Sequence, residues 1–278
     1  MLDPKTDILG DVANYYSAKL AEHGDTARGV DWNGEESQVI RFEQLCKIID
    51  SSTPFSLNDL GCGYGALYDY LCSRYDTFTY KGYDISADMI RAAQSRYGGK
   101  HNAAFVVAER PQQAADYGIA SGIFNVRLSH NNGKWREHLQ TMLNVLDHTS
   151  KKAFAFNCLT SYSDPDKMKD YLYYADPCVL FDLCKRRYSR HVALLHDYGL
   201  YEFTILVKKQ PRGNHWLSLA LVTLLSWRTG IFPRIPITKS LRSQSMLPTA
   251  HPWSSAEFQL CPSRRRRLAT FLRHMRCS

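Results

Sequence analysis

No run of apolar residues in this chain is long enough to cross a bilayer. The longest, Trp216 to Trp227, is 12 residues and is interrupted by Ser218, Thr223 and Ser226, whereas a span takes about 20. A membrane-spanning helix is therefore not expected, although a helix lying on a surface is not excluded. Paired cysteines are also missing. Eight stand at positions 46, 62, 72, 158, 178, 184, 261 and 277, none in a C-x-x-C pair and none with a histidine cluster at metal-ligand spacing. Free thiols acting as small hydrophobes, no metal and a reducing, cytoplasmic setting are the expectation. Met1–Gly10 is polar and carries Asp3, Lys5 and Asp7, so no secretory leader is expected there.

Acidic residues nearly vanish after Pro211. Residues 212–278 hold 11 Lys and Arg against the single acid Glu257, a balance of +10, while residues 1–211 hold 24 basic and 26 acidic residues, −2. The net charge of +8 thus belongs to the tail, and the electrostatic footprint of a nucleic-acid binder is absent from the remainder. The tail also carries prolines at 233, 236, 248, 252 and 262 and the run Arg264–Arg267. Three readings of it stand open: an anion-binding arm, a poorly ordered extension, or a fused or out-of-frame translation.

Within residues 1–209 the pattern is regular. Residues 1–50 read as helical, with Ala13–Leu20 and Glu35–Ile49 as the helices and a turn-rich loop through His23-Gly24 and Trp32-Asn33-Gly34. From Phe55 strands alternate with helices. Phe55–Leu60, Thr77–Ile85, Phe105–Ala108, Tyr117–Phe124 and Ala153–Leu159 read as strands, and Ala66–Arg74, Ser86–Arg96 and Trp135–Leu146 as helices. That rhythm argues βαβ units on a parallel sheet. Val192–Leu195 and Glu202–Val207 break it, because the six residues between them are too few for a crossover helix, so these strands should pair antiparallel. The expected fold is α/β, a Rossmann-like three-layer sandwich. Its seven-stranded, mostly parallel sheet closes on a C-terminal antiparallel hairpin, giving a helical segment over 1–50, a ligand-binding domain over 51–209 and the basic tail over 210–278.

The densest signal is Asn58-Asp59-Leu60-Gly61-Cys62-Gly63-Tyr64-Gly65-Ala66. Glycines at the end of a first strand allow a sharp turn and close approach of a ligand. Gly61, Gly63 and Ala66 alone also satisfy the dinucleotide fingerprint. Three features favour another ligand. Gly65 makes the loop G-x-G-x-G, which leaves room for a bulky nucleoside and amino-acid tail. Asp59 sits where it can accept from an ammonium but would repel a pyrophosphate. The closing hairpin is foreign to a dehydrogenase sheet.

The loop from Asp59 to Gly65, the segment Tyr80-Lys81-Gly82-Tyr83-Asp84-Ile85-Ser86 and the hairpin together resemble the class I S-adenosylmethionine-dependent methyltransferases, over roughly residues 10–209. The resemblance implies S-adenosylmethionine as cofactor. It further implies ribose contacts from Asp84, each worth about 1.5–3 kcal/mol, and an acidic contact to the adenine amine from Glu109. Ile85 and Met89 would border the adenosine, and Gly61, Cys62, Gly63 and Gly65 would form its cradle. The N-terminal segment, with Tyr15, Tyr16, Arg28 and Trp32, would fold over the cofactor as a lid. The alternative role for Asp84 is to cap the following helix, which Ser86 could do equally well.

On the acceptor side, Ala120–Asn125 follows the fourth strand without the Asn/Asp-Pro-Pro-aromatic signature of enzymes that methylate nucleobase or glutamine amides. No catalytic residue is assigned; Asn125, His130, Tyr162 and His196, with Asn157, lie after strands and are the candidates. Gly29–Asn33 and His191–Gly199 are similar to segments of bacterial methyltransferases of unassigned acceptor. A small molecule, such as a sugar or secondary metabolite, is the expected acceptor. An NAD(P)-dependent oxidoreductase, an RNA methyltransferase and a non-catalytic cofactor-binding homologue are the rival readings.

Overall fold

The computed structural model describes residues 4–32 and 34–209; the basic tail over 210–278 and Trp216–Trp227 lie outside them. Helices α1 (Pro4–His23) and α2 (Glu35–Cys46) precede β1 (Phe55–Leu60), α3 (Ala66–Cys72), β2 (Phe78–Asp84), α4 (Ala87–Tyr97) and β3 (Ala103–Val107). There follow β4 (Ala115–Ala120), α5 (Asn132–Thr149), β5 (Ser150–Leu159), α6 (Pro177–Arg187), β6 (His191–Leu195) and β7 (Glu202–Lys208). The strands form one sheet in the order β3-β2-β1-β4-β5-β7-β6. The first five run parallel, and β7 is antiparallel to both β5 and β6. This is the expected Rossmann-like sandwich, hairpin included.

Alternation along the strands fills two cores. On β5, Ala153 and Ala155 face a core shared with Leu45 of α2, Leu71 of α3 and Ile90 of α4, while Phe154 and Phe156 face one shared with Leu143 of α5 and Cys184 of α6. Side chains on a strand point to opposite faces with period two, so one strand feeds both layers. Between β3 and β4 the chain crosses without a helix. Asn58 ties that loop down by donating its side-chain amide to the carbonyl of Gln113 at 2.7 Å.

Several boundaries differ from expectation for local reasons. The fourth strand stops at Ala120 rather than Phe124, because Gly122 at φ +78° turns the chain away. The first helix begins nine residues earlier than Ala13, at Pro4. Helix α6 was not anticipated; Asp176 caps it, accepting from the backbone N–H groups of Cys178 and Val179, and Pro177 occupies its first turn. Among the described residues no helix is long and apolar enough to cross a membrane.

Strand β7 is buried along all but its last residue and is paired on both edges, so the sheet closes by Lys208. We therefore propose that residues 1–209 fold without the remainder. The expected result is a melting temperature within a few degrees of the full chain by differential scanning fluorimetry. Insolubility, or a drop of more than about 10 °C, corresponding to a few kcal/mol in a domain this large, would assign part of the core to the tail.

Candidate active site

In an open α/β sheet, ligands bind beyond the carboxyl ends of the strands where the strand order reverses. Here that point lies between β1 and β4. A cavity sits there, lined from both β1 and β4, the position in such sheets where ligand sites are expected. Its floor holds Asp59, Gly61, Cys62, Gly63, Asp84 and Ile85, with Met89 and Glu109 beside them.

The loop after β1 is held by the backbone of the next strand. The N–H groups of Gly61 and Cys62 both donate to the carbonyl of Tyr83, at 2.8 and 3.1 Å. Asp84 grips two turns at once, one oxygen accepting from Gly63 N and the other from Ser86 N, each at 2.9 Å. The Ser86 hydroxyl accepts from Met89 N and caps α4, so capping does not fall to Asp84. A carboxylate offers about four acceptor positions, so these bonds leave acceptor capacity on Asp84 at the cavity wall. Burial raises its carboxyl above the ordinary range, against the backbone N–H bonds that lower it.

Asp59 is 1% exposed. One oxygen accepts from the Tyr80 hydroxyl at 2.5 Å, and the other is buried without a partner. Burial pushes this carboxyl up to about 7, with the Asp84 charge adding and the Tyr80 hydrogen bond opposing. The Cys62 thiol is raised well above its ordinary value by burial and by the two aspartates. It packs over Gly82, where a Cβ would stand 2.7 Å from the sulfur. Cys62 is therefore an inert spacer against β2 rather than a nucleophile.

The opposite wall comes from the N-terminal segment: Leu9, Val12 and Tyr16 of α1, then Val30 and Trp32. Trp32 is set by a closed circuit. Its ring lies under the Arg41 guanidinium, 3.8 Å from the centroid. Arg41 Nε donates to Glu202 Oε2 at 2.8 Å, and Asn157 Nδ2 donates to the same oxygen at 2.6 Å. Asn157 Oδ1 accepts from Gly122 N at 2.8 Å, and a Cβ on Gly122 would stand 2.6 Å from the Trp32 ring.

The comparisons with known proteins agree with this geometry. A family profile described as a methyltransferase domain matches residues 58–149. The Mycobacterium tuberculosis protein named "Putative methyltransferase Rv1506c" is 60% identical over 163 residues, covering 59% of this chain and 98% of that protein. The chain belongs to the class I S-adenosylmethionine-dependent methyltransferases. Among solved structures, the complex of DhpI with SAH aligns with a TM-score of 0.51 at 14% identity, over 74% of this chain and 98% of that one. Magnesium protoporphyrin IX methyltransferase from Synechocystis PCC 6803, with bound SAM, aligns with a TM-score of 0.51 at 14% identity, over 76% and 99%. Identities this low show the shared fold alone.

Not every expected residue of this methyltransferase reaches the cavity. Gly65 does not line it; at φ +88° it caps α3, where a Cβ would stand 2.9 Å from Tyr97 and 3.1 Å from Phe105, so its glycine serves a left-handed turn and packing. Tyr15 donates to Asp31 at 2.8 Å and Arg28 is exposed, leaving Tyr16 and Trp32 as the lid residues at the wall. The acceptor-side candidates also stand elsewhere. Asn125 accepts from Leu159 N. His130 meets Asp11 of α1 at 3.0 Å and anchors the lid helix. Exposed Tyr162 lies against His196, ring centroids 6.0 Å apart. Asn157 belongs to the Trp32 circuit. Ser121, whose hydroxyl oxygen is buried without a partner, and His138 and Met142 of α5 line the cavity instead. His138 and Met142 are four residues apart on a helix, a spacing that reads as core.

Gly61 is the least replaceable point of the loop, with φ +77° and Cγ2 of Ile123 2.2 Å from where a Cβ would lie. Gly61→Ala should cost about 1–2 kcal/mol for the left-handed backbone and more for the collision. Gly61→Ala with Ile123→Ala should recover only the collision. Thermal melts of wild type, both single variants and the pair check this; a Gly61→Ala protein as stable as wild type would show that the loop is looser than described.

Proposed function

We propose that the protein binds S-adenosylmethionine in this cavity and transfers its methyl group to a small-molecule acceptor. One observation carries the cofactor assignment: a buried carboxylate oxygen of Asp59 without a partner, beside a glycine turn at the carboxyl end of β1. A buried acceptor left unsatisfied costs about 1–3 kcal/mol, and an ammonium group satisfies it with a charge-assisted bond. A dinucleotide pyrophosphate would instead meet two carboxylates, Asp59 and Asp84, at close quarters.

The residues present fit the cofactor. Asp59 takes the ammonium, and Gly61 and Gly63 allow close approach of the amino-acid tail. Asp84 takes the ribose hydroxyls at the cavity wall, and Ile85, Met89 and Glu109 surround the base. When bound, the cofactor supplies a methyl group already activated by a sulfonium. The chain then has to position an acceptor and exclude water, the work of Tyr16 and Trp32 on the lid side and Ser121 to Ile123 on the β4 side. A small acceptor is supported by the charge of −2 over residues 1–211 and by a site built, among the described residues, as a cavity without lysine or arginine rather than as a basic face.

The Asp59 assignment has a signature in pH. Its free carboxyl, at about 7, is partly protonated at neutral pH, while an ammonium binds only the ionised form. Cofactor binding should therefore release a proton near pH 6.5, and affinity should rise with pH up to about 7 and fall again above about 8 as the ligand's α-amino group loses its proton. Stability of the free protein runs the other way. With the folded value above the ordinary 3.8, the folded state holds the extra proton between about 4 and 7, and stability falls as pH rises through that window. Calorimetric titrations of S-adenosylmethionine in buffers of different ionisation enthalpy read the proton release. Asp59→Asn should abolish it and weaken binding at least tenfold, about 1.4 kcal/mol. Unchanged proton release in the variant would remove Asp59 from the site.

A further inference from the structure

Among the described residues, the cavity wall contains no lysine and no arginine, although it contains three carboxylates, Asp59, Asp84 and Glu109. Two guanidinium groups come close and both are screened in the same way. Arg41 lies behind the Trp32 ring and is paired with Glu202. Arg96 lies behind Tyr64, 5.3 Å from the ring centroid, and is paired with Asp25 at 3.1 Å. Trp32 and Tyr64 themselves line the cavity. Each cation thus presents an aromatic face to the ligand and spends its charge on a carboxylate behind it. Toward β4 and α5 the wall is Trp32, Ile123 and Met142, with Ser121 and His138 as the polar groups.

From this we infer that the β4 end of the cavity takes a flat, neutral, largely apolar acceptor and discriminates against counterparts bearing phosphate or carboxylate, with the Arg41–Glu202 pair keeping the Trp32 wall fixed and uncharged. The inference rests on the cofactor reading above and narrows its acceptor. The physical basis is that an anion brought into a low-dielectric pocket needs a compensating cation or several donors, and otherwise loses its hydration without return. Among the described residues the wall offers it no lysine or arginine, while carboxylates stand on the cavity floor. A flat apolar molecule gains instead from burial against Trp32 and Met142. Glu202 does not line the cavity, so its part is that of a positioning residue. Both groups that donate to its Oε2, Arg41 Nε and Asn157 Nδ2, lead to cavity residues.

The test uses the full chain saturated with S-adenosylhomocysteine, at pH 8. Saturation-transfer NMR and calorimetry compare 2-naphthol, 2-naphthoate and 2-naphthyl phosphate, which share one ring system and differ in charge. The expected result is binding of 2-naphthol with the phosphate at least tenfold weaker and the carboxylate between them. Glu202→Gln leaves the guanidinium charge uncompensated and should narrow the naphthol-to-phosphate ratio at least threefold. Should that variant fail to fold, the apolar pair Arg41→Met with Glu202→Leu should keep the wild-type order, since a buried ion pair can be replaced by packed hydrophobic residues. Failure of 2-naphthol to bind, or an anion that binds as tightly, overturns the inference. Calorimetry of S-adenosylhomocysteine with the unliganded protein separates the two levels: no binding there defeats the cofactor reading, whereas binding with the wrong acceptor order defeats only this one.

Discussion

Asp84 holds a backbone N–H on each of its two oxygens, one from the glycine turn after β1 and one from the turn after β2. Those turns belong to neighbouring strands, and no other side chain joins them among the described hydrogen bonds. The grip fixes the spacing of the cavity floor, since Gly61 and Cys62 are already tied to Tyr83, one residue earlier on β2. A longer side chain would push the turns apart. A shorter one would leave two buried N–H groups unpaired, at about 1–3 kcal/mol each. The same carboxylate adds to the field that raises Asp59 and Cys62, so geometry and electrostatics of the floor have one source.

A floor built from buried carboxylates has consequences for the walls. It favours cationic groups on a ligand and sets Asp59 near 7. The lid answers with aromatic faces, which tolerate a cation through their π-density and exclude water without adding charge. Holding such a lid takes anchors remote from the chemistry. His130 pins α1 through Asp11, and Glu202 pins Trp32 through Arg41. The antiparallel hairpin thus does more than end the sheet, because its last strand carries the carboxylate that orders the lid.

How much of this was legible in the sequence follows from the range of each interaction. The strand Phe55–Leu60 and the turn at Gly61 depend on neighbours in the chain, and their residues announce them. The hairpin was legible because six residues cannot hold a crossover helix. The floor residues Asp59, Gly61, Gly63 and Asp84 lie within one βαβ unit, where spacing alone brings them together. The lid circuit does not have that advantage. Arg41 and Glu202 are 161 positions apart, and His130 and Asp11 are 119 apart, so nothing local marks their pairing. Ser121 lies in the acceptor-side segment Ala120–Asn125, where Asn125 rather than Ser121 stands out; His138 and Met142, at i, i+4 on a helix, look like core. Gly65 misled in the opposite sense, since a positive φ at a helix start and a ligand contact both select glycine.

The central claim is that the cavity holds S-adenosylmethionine rather than a nicotinamide dinucleotide. Separate calorimetric titrations of the full chain with S-adenosylmethionine and with NAD test it most directly. The account predicts saturable binding of S-adenosylmethionine, no heat from NAD beyond dilution, and loss of at least tenfold in affinity on Asp84→Ala. Binding of NAD without binding of S-adenosylmethionine would contradict it.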